Sequence, residues 1–133
     1  MRTFPRRLRA AGITPNRYRE LQAVCRDYPE YKRRLRRARA GIVDRPERTS
    51  GAYRRPDPTA AEAVFLASHP AARRVQVIET CAYQAAEPCV ARALLRSVSE
   101  GLTWEQLSPP IGRNQFYQAR MAFFIALDAA LGY

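Results

Sequence analysis

Between positions 113 and 118 the sequence RNQFYQ sets five hydrogen-bonding side chains, Arg113, Asn114, Gln115, Tyr117 and Gln118, around one phenylalanine, Phe116. Their chemistry suits the edges of base pairs. Arg offers a bidentate donor fork to guanine, and Asn or Gln offers a matched donor and acceptor to adenine. Phe116 and Phe123 share a helix face and are expected to anchor the buried side. Arg120, one turn after Phe116, is better placed for a phosphate than for a base.

The remaining chemistry-bearing residues do not gather. Asp27, Asp44, Asp57 and Asp128 lie on separate segments, no serine forms a recognisable motif with the single histidine, His69, and no glycine-rich phosphate loop is present. Glu79 and Glu87 read as surface or capping residues. Metal-dependent nuclease chemistry needs clustered carboxylates, so the chain is not expected to be an enzyme. Cys25, Cys81 and Cys89 form no CxxC pair, and with His69 they would have to converge from distant segments to hold zinc. No cofactor or metal is expected. The thiols read as reduced, which points to the cytosol.

Charge narrows the partner. The 133 residues carry 23 Lys+Arg against 12 Asp+Glu, a net charge of +11. Residues 1–55 hold 17 of those cations and 5 of the acids, whereas residues 56–133 hold 6 and 7. Such an excess favours a polyanion, nucleic acid ahead of an anionic membrane. No apolar run approaches the roughly 18 residues of a membrane span, and the Arg-rich start lacks the apolar stretch of a secretory signal.

The elements that must position these residues are helical. Tyr18, Leu21, Cys25, Tyr28, Tyr31, Leu35, Ala38 and Ile42 recur every three or four residues, which predicts helix over about 15–42 behind a Thr14-Pro15 start. Pro29 either kinks this helix or starts a second one capped by Asp27. The opposite face carries Arg26, Lys32, Arg33, Arg34, Arg36, Arg37 and Arg39, whose mutual repulsion favours an anionic partner. Arg33, Arg34, Arg36 and Arg37 are expected at phosphates. Residues 43–58, VDRPERTSGAYRRPDP, read as a flexible linker. The expected layout is therefore a basic helical arm (1–42), a linker (43–58) and a helical domain (59–133). Outside that domain the arm's apolar stripe must fold back or find a partner, and a homo-oligomer through the Tyr18–Ile42 face is expected.

Within the domain, Asp57 or Thr59 with Glu62 can cap a short helix, and Ser68 with Pro70 opens the next. A further helix runs from Pro88 to Gly101, followed by a Thr103/Gln106 capping box around Trp104 and Leu107. Pro109 and Pro110 break the chain before a last helix from about Arg113 to Leu131. No segment alternates with period two, so the fold class is all-α. A supporting helix, a short helix and a longer helix in this order, over about 88–131, describe a helix-turn-helix, whose last helix lies in the DNA major groove.

The segments DPTA (57–60), GLTWEQL (101–107) and GRNQFY (112–117) resemble the RinA/ArpU-like phage late transcription regulators, whose end is similar to the region-four helix-turn-helix of sigma factors. The basic RYRELQAVCRDYPEYKRRLRR segment and the IVDRPER turn follow that layout in the same order. The resemblance implies a sequence-specific DNA-binding regulator of phage or prophage, activating late packaging and morphogenesis genes beside host RNA polymerase in the bacterial cytoplasm. By the same resemblance Thr103, Trp104 and Gln106 match the first helix of the motif, with Thr103, Trp104 and Arg120 expected at phosphates. Arg113, Asn114, Gln115, Tyr117 and Gln118 match the base-reading helix. Because residues 56–133 are near neutral, the arm is expected to supply most of the phosphate attraction. The alternatives are a small terminase subunit-like packaging protein, which usually has the opposite order of elements, and an RNA-binding antiterminator.

Overall fold

Proline marks the start of several helices, because its missing N–H falls where a helix has no internal partner for one. The computed structural model describes residues 4–43, 64 and 69–132. It contains α1 (Arg6–Ala10), α2 (Pro15–Arg26), α3 (Tyr28–Val43), α4 (Pro70–Ala85), α5 (Pro88–Glu100), α6 (Trp104–Leu107) and α7 (Arg113–Ala130). Among the described residues there is no strand, and the fold is all-α. The expected linker at 43–58 and the helix start at Asp57, Thr59 and Glu62 lie outside the described residues.

Side-chain caps fix two of the proline starts. Thr14 Oγ1 accepts the Arg17 N–H at 3.1 Å, and His69 Nδ1 accepts the Ala71 N–H at 3.1 Å. At Pro29 the helix divides: α2 stops at Arg26, Asp27 donates its N–H back to Ala23 and Val24, and the Asp27 carbonyl accepts the Tyr31 N–H at 3.0 Å. The short α1 has no counterpart in the sequence reading.

The core is continuous from Leu8 to Leu127. Leu8, Ile13, Leu21, Cys25 and Tyr28 pack in one cluster with Ile78 and Cys81 of α4, with Val90, Leu94 and Val98 of α5, and with Phe116, Phe123, Phe124 and Leu127 of α7. Helix α4 lies against α3, α5 and α7, while α2 lies against α5 and α7, and α1 against α7. The expected separation into arm and domain is therefore corrected, since α1 and α2 are structural parts of the same core. The reason is in the apolar stripe itself. Leu21, Cys25 and Tyr28 are buried, and Tyr18 and Tyr31 are half-buried against the cluster. The face reserved for a second copy is covered over these positions by the chain's own helices, and the half-buried Leu35 and Ala38 extend it along α3, while the Ile42 side chain lies outside what the structure describes.

Polar contacts cross the same seam. Arg17 Nε donates to Asp128 Oδ1 at 2.6 Å, joining α2 to α7, with both side chains largely shielded. Burial pushes the Cys25 thiol up to about 12, an effect the nearby Arg120 guanidinium opposes and Cys81 reinforces. No helix among the described residues is long and apolar enough to cross a membrane.

Candidate nucleic-acid interface

The approach to α7 is built from local hydrogen bonds. Ser97 sits among the apolar residues of α5, fully buried, and its hydroxyl donates to the Leu102 carbonyl at 2.8 Å, turning the chain just after the helix. Gly101 ends α5 at φ 75°, the left-handed conformation that glycine adopts without strain. Thr103 and Gln106 then form the expected capping box: Thr103 Oγ1 accepts the Gln106 N–H at 3.3 Å, and Gln106 Oε1 accepts the Thr103 N–H at 2.9 Å. Ser108 closes α6 at φ 45°, an uncommon conformation for a residue with a Cβ. Its N–H donates to the Trp104 carbonyl at 2.8 Å. The Trp104 indole N–H donates to the Ile111 carbonyl at 3.0 Å, so the turn between α6 and α7 is tied at both ends.

On the first turn of α7 the phase expected from Phe116 holds. Phe116 is fully buried, and Arg113, Asn114 and Gln115 point outward and are exposed. Arg113 lies 3.5 Å from Glu105 across the turn and 5.9 Å from the Tyr117 ring centroid. An ion pair this open to water holds its partners weakly, so the guanidinium is available to a ligand.

The other candidates are employed differently. Tyr117 is half-buried, edge-on to Phe116. The Gln118 side chain accepts from Arg7 Nη1 at 2.7 Å and is tied to α1. The exposed Thr103 has its hydroxyl engaged in its cap, and the Trp104 indole N–H is engaged in the turn. Arg120 departs furthest from expectation. Its Nη1 donates inward to Ser97 Oγ at 3.3 Å, its guanidinium lies 5.7 Å from the Phe124 ring centroid, and its buried Nε has no hydrogen-bond partner among the described residues. It faces the protein, because the Phe124 and Ser97 surfaces accept its plane and its proton.

On α3, Arg33 and Arg34 share Glu30, at 2.7 and 3.5 Å, and the Arg33 guanidinium holds the Glu30 carboxyl below its usual range. The acid at i,i+3 and i,i+4 spacing was present in the sequence and relieves part of the repulsion there. Arg36 and Arg37 are exposed. Among the described residues no three of His, Cys, Asp and Glu gather as metal ligands.

Two contacts escaped the sequence reading. Arg17 with Asp128 and Arg7 with Gln118 are each 111 residues apart and left no local trace. The Ser97 contact had one, a small hydroxyl placed inside the apolar face of Val90, Leu94 and Val98.

Comparison of the chain with protein-family models, with curated proteins and with solved structures finds no match.

Proposed function

We propose that the chain is a sequence-specific DNA-binding regulator in which α5, α6 and α7 form a helix-turn-helix and the first turn of α7 reads bases. The observation that carries this reading is the outward exposure of Arg113, Asn114 and Gln115 directly above the fully buried Phe116. Base readout requires side chains held on a rigid mount, and the capping box of α6 with the Trp104–Ile111 hydrogen bond supplies one. Arg113 is the candidate reader of guanine, and Asn114 and Gln115 of adenine. Tyr117 and Gln118, half-buried and tied to Arg7 respectively, have secondary parts. The resemblance to RinA/ArpU-like regulators favours late-gene activation in a bacterial host, with RNA polymerase as a second partner.

Selection of bound sites from random duplex DNA tests the reading. The full chain is expected to enrich one short sequence, and Arg113→Ala to relax the preference at one base pair by about 1–3 kcal/mol. No enriched sequence, or equal weakening by Arg113→Ala on every duplex, would falsify it.

A further inference from the structure

A groove of about 440 Å³ lies between α3, α4 and α5. Lys32 and Arg36 line it from α3, Arg92 and Arg96 from α5, and Tyr83 from α4. The two cation pairs have the same spacing. Residues four apart on a helix stand one turn apart on one face, so each wall offers two positive heads in a row.

The groove's two carboxylates do little to neutralise them. Glu79 Oε1 accepts the Tyr28 hydroxyl at 2.6 Å and is directed to that buried phenol. Glu100 lies 3.2 Å from Arg96 in an exposed pair, an arrangement worth little in water. The Lys32 ammonium sits 5.5 Å from the Tyr28 ring centroid. Among the described residues Lys32, Arg36 and Arg92 have no carboxylate partner. Cations brought together from two helices without matching acids create a local field that favours a bound anion.

We propose that this groove is a second DNA-contact site, holding backbone phosphates of a duplex outside the bases read by α7. Lys32 and Arg36 take phosphate oxygens from one wall, Arg92 and Arg96 from the other. The inference rests on the DNA-binding reading above but uses none of its base contacts. Helix α5, which carries Arg92 and Arg96, runs directly into the turn that leads to α6, so both sites belong to one supporting helix. A duplex is favoured over a single strand because single-strand grooves stack successive bases on several aromatic rings. Here Tyr83 is the exposed ring of the groove, and Tyr28 is buried.

The test measures binding of the full chain to a duplex of scrambled sequence across a salt series. For Arg36→Ala/Arg92→Ala the slope of log K against log salt is expected to become shallower by about 2, at about 0.9 per lost phosphate contact. The charge-matched Arg19→Ala/Arg73→Ala, which alters exposed residues outside the groove, is expected to change it by less than about half as much. Circular dichroism confirms that both variants fold. Equal slopes for the two variants, or no change in the groove variant, overturn the groove while leaving base reading intact. A flattened slope with no enriched sequence in site selection supports the groove and removes base reading. Tighter binding to a single strand of equal length, lost in Tyr83→Ala, replaces the duplex with a stacking site. Absence of salt-dependent binding by the unmodified chain overturns both readings.

Discussion

Residues 6–43 and residues 70–130 solve the same packing problem with very different surfaces. The first region puts Arg at its outward positions more often than any other residue, and the second mixes acids, amides and a few cations. Their inward positions are indistinguishable in kind: Leu8, Leu21 and Cys25 on one side meet Leu94, Phe123 and Leu127 on the other in one cluster. Charge is a property of what faces water, and a steep change in charge along a chain does not mark a domain boundary. Apolar phase does better, because burying a stripe is worth about 25 cal/mol per Å² wherever the covering surface comes from.

The largest effect that tests this comparison is expected from Leu21→Ala, which empties a fully buried position on α2. The cost is about 2–5 kcal/mol. Trp104, the single tryptophan, reports from α6 at the far end of the sequence. With one shared core, its fluorescence transition in urea moves to lower concentration together with the far-UV circular dichroism. A Trp104 transition that stays in place while helix content falls would show that α1–α3 fold apart from the rest.

Asp128→Ala is expected to cost less, about 1.5–3 kcal/mol, the range for a shielded hydrogen bond to a charged group. It removes the α7 partner of Arg17, which keeps Glu20 at 3.0 Å on its own helix. Asp128→Asn, retaining an acceptor oxygen, should recover part of the loss. A change below about 0.5 kcal/mol, the scale of an ordinary surface substitution, would assign the α2–α7 seam to apolar packing alone.

What was legible in the sequence was its punctuation. Thr14-Pro15, Pro70, Pro88 with Gly101, the Thr103/Gln106 box and the start at Arg113 all mark helix ends through local hydrogen bonding, and the helices begin or stop beside them. The exposure of Arg113, Asn114 and Gln115 followed from the phase of Phe116 by the same local logic. Helix α1 was not legible, because five residues make little more than one turn and show no period. Its existence depends on where Leu8 is buried, which is decided by α7. Arg120 was misplaced for a different reason, since its own helical phase points away from a phosphate. Four residues after the buried Phe116, Arg120 shares its helix face, and the Ser97 hydroxyl on another helix then receives its proton there.

The smallest effect expected is a ratio of rates, and it tests the shared core without a packing defect. Cys25 lies on α2, Cys81 on α4, and both are buried, while Cys89 is exposed. Burial raises both buried thiols, Cys25 from its ordinary 9 to about 12. A raised thiol pKa means that the folded state keeps a proton the unfolded chain releases near 9. The associated stability is complete below that pH and is lost as pH climbs toward 12. At pH 8, therefore, a thiol reagent should modify Cys89 at once and reach the other two only through opening of the core. If opening is global, Cys25 and Cys81 react at the same rate in mild urea, and both accelerate together as pH rises above 9. Modification of Cys25 well ahead of Cys81 would mean that α2 leaves the core before α4 does, restoring a dynamic boundary where the static packing has none.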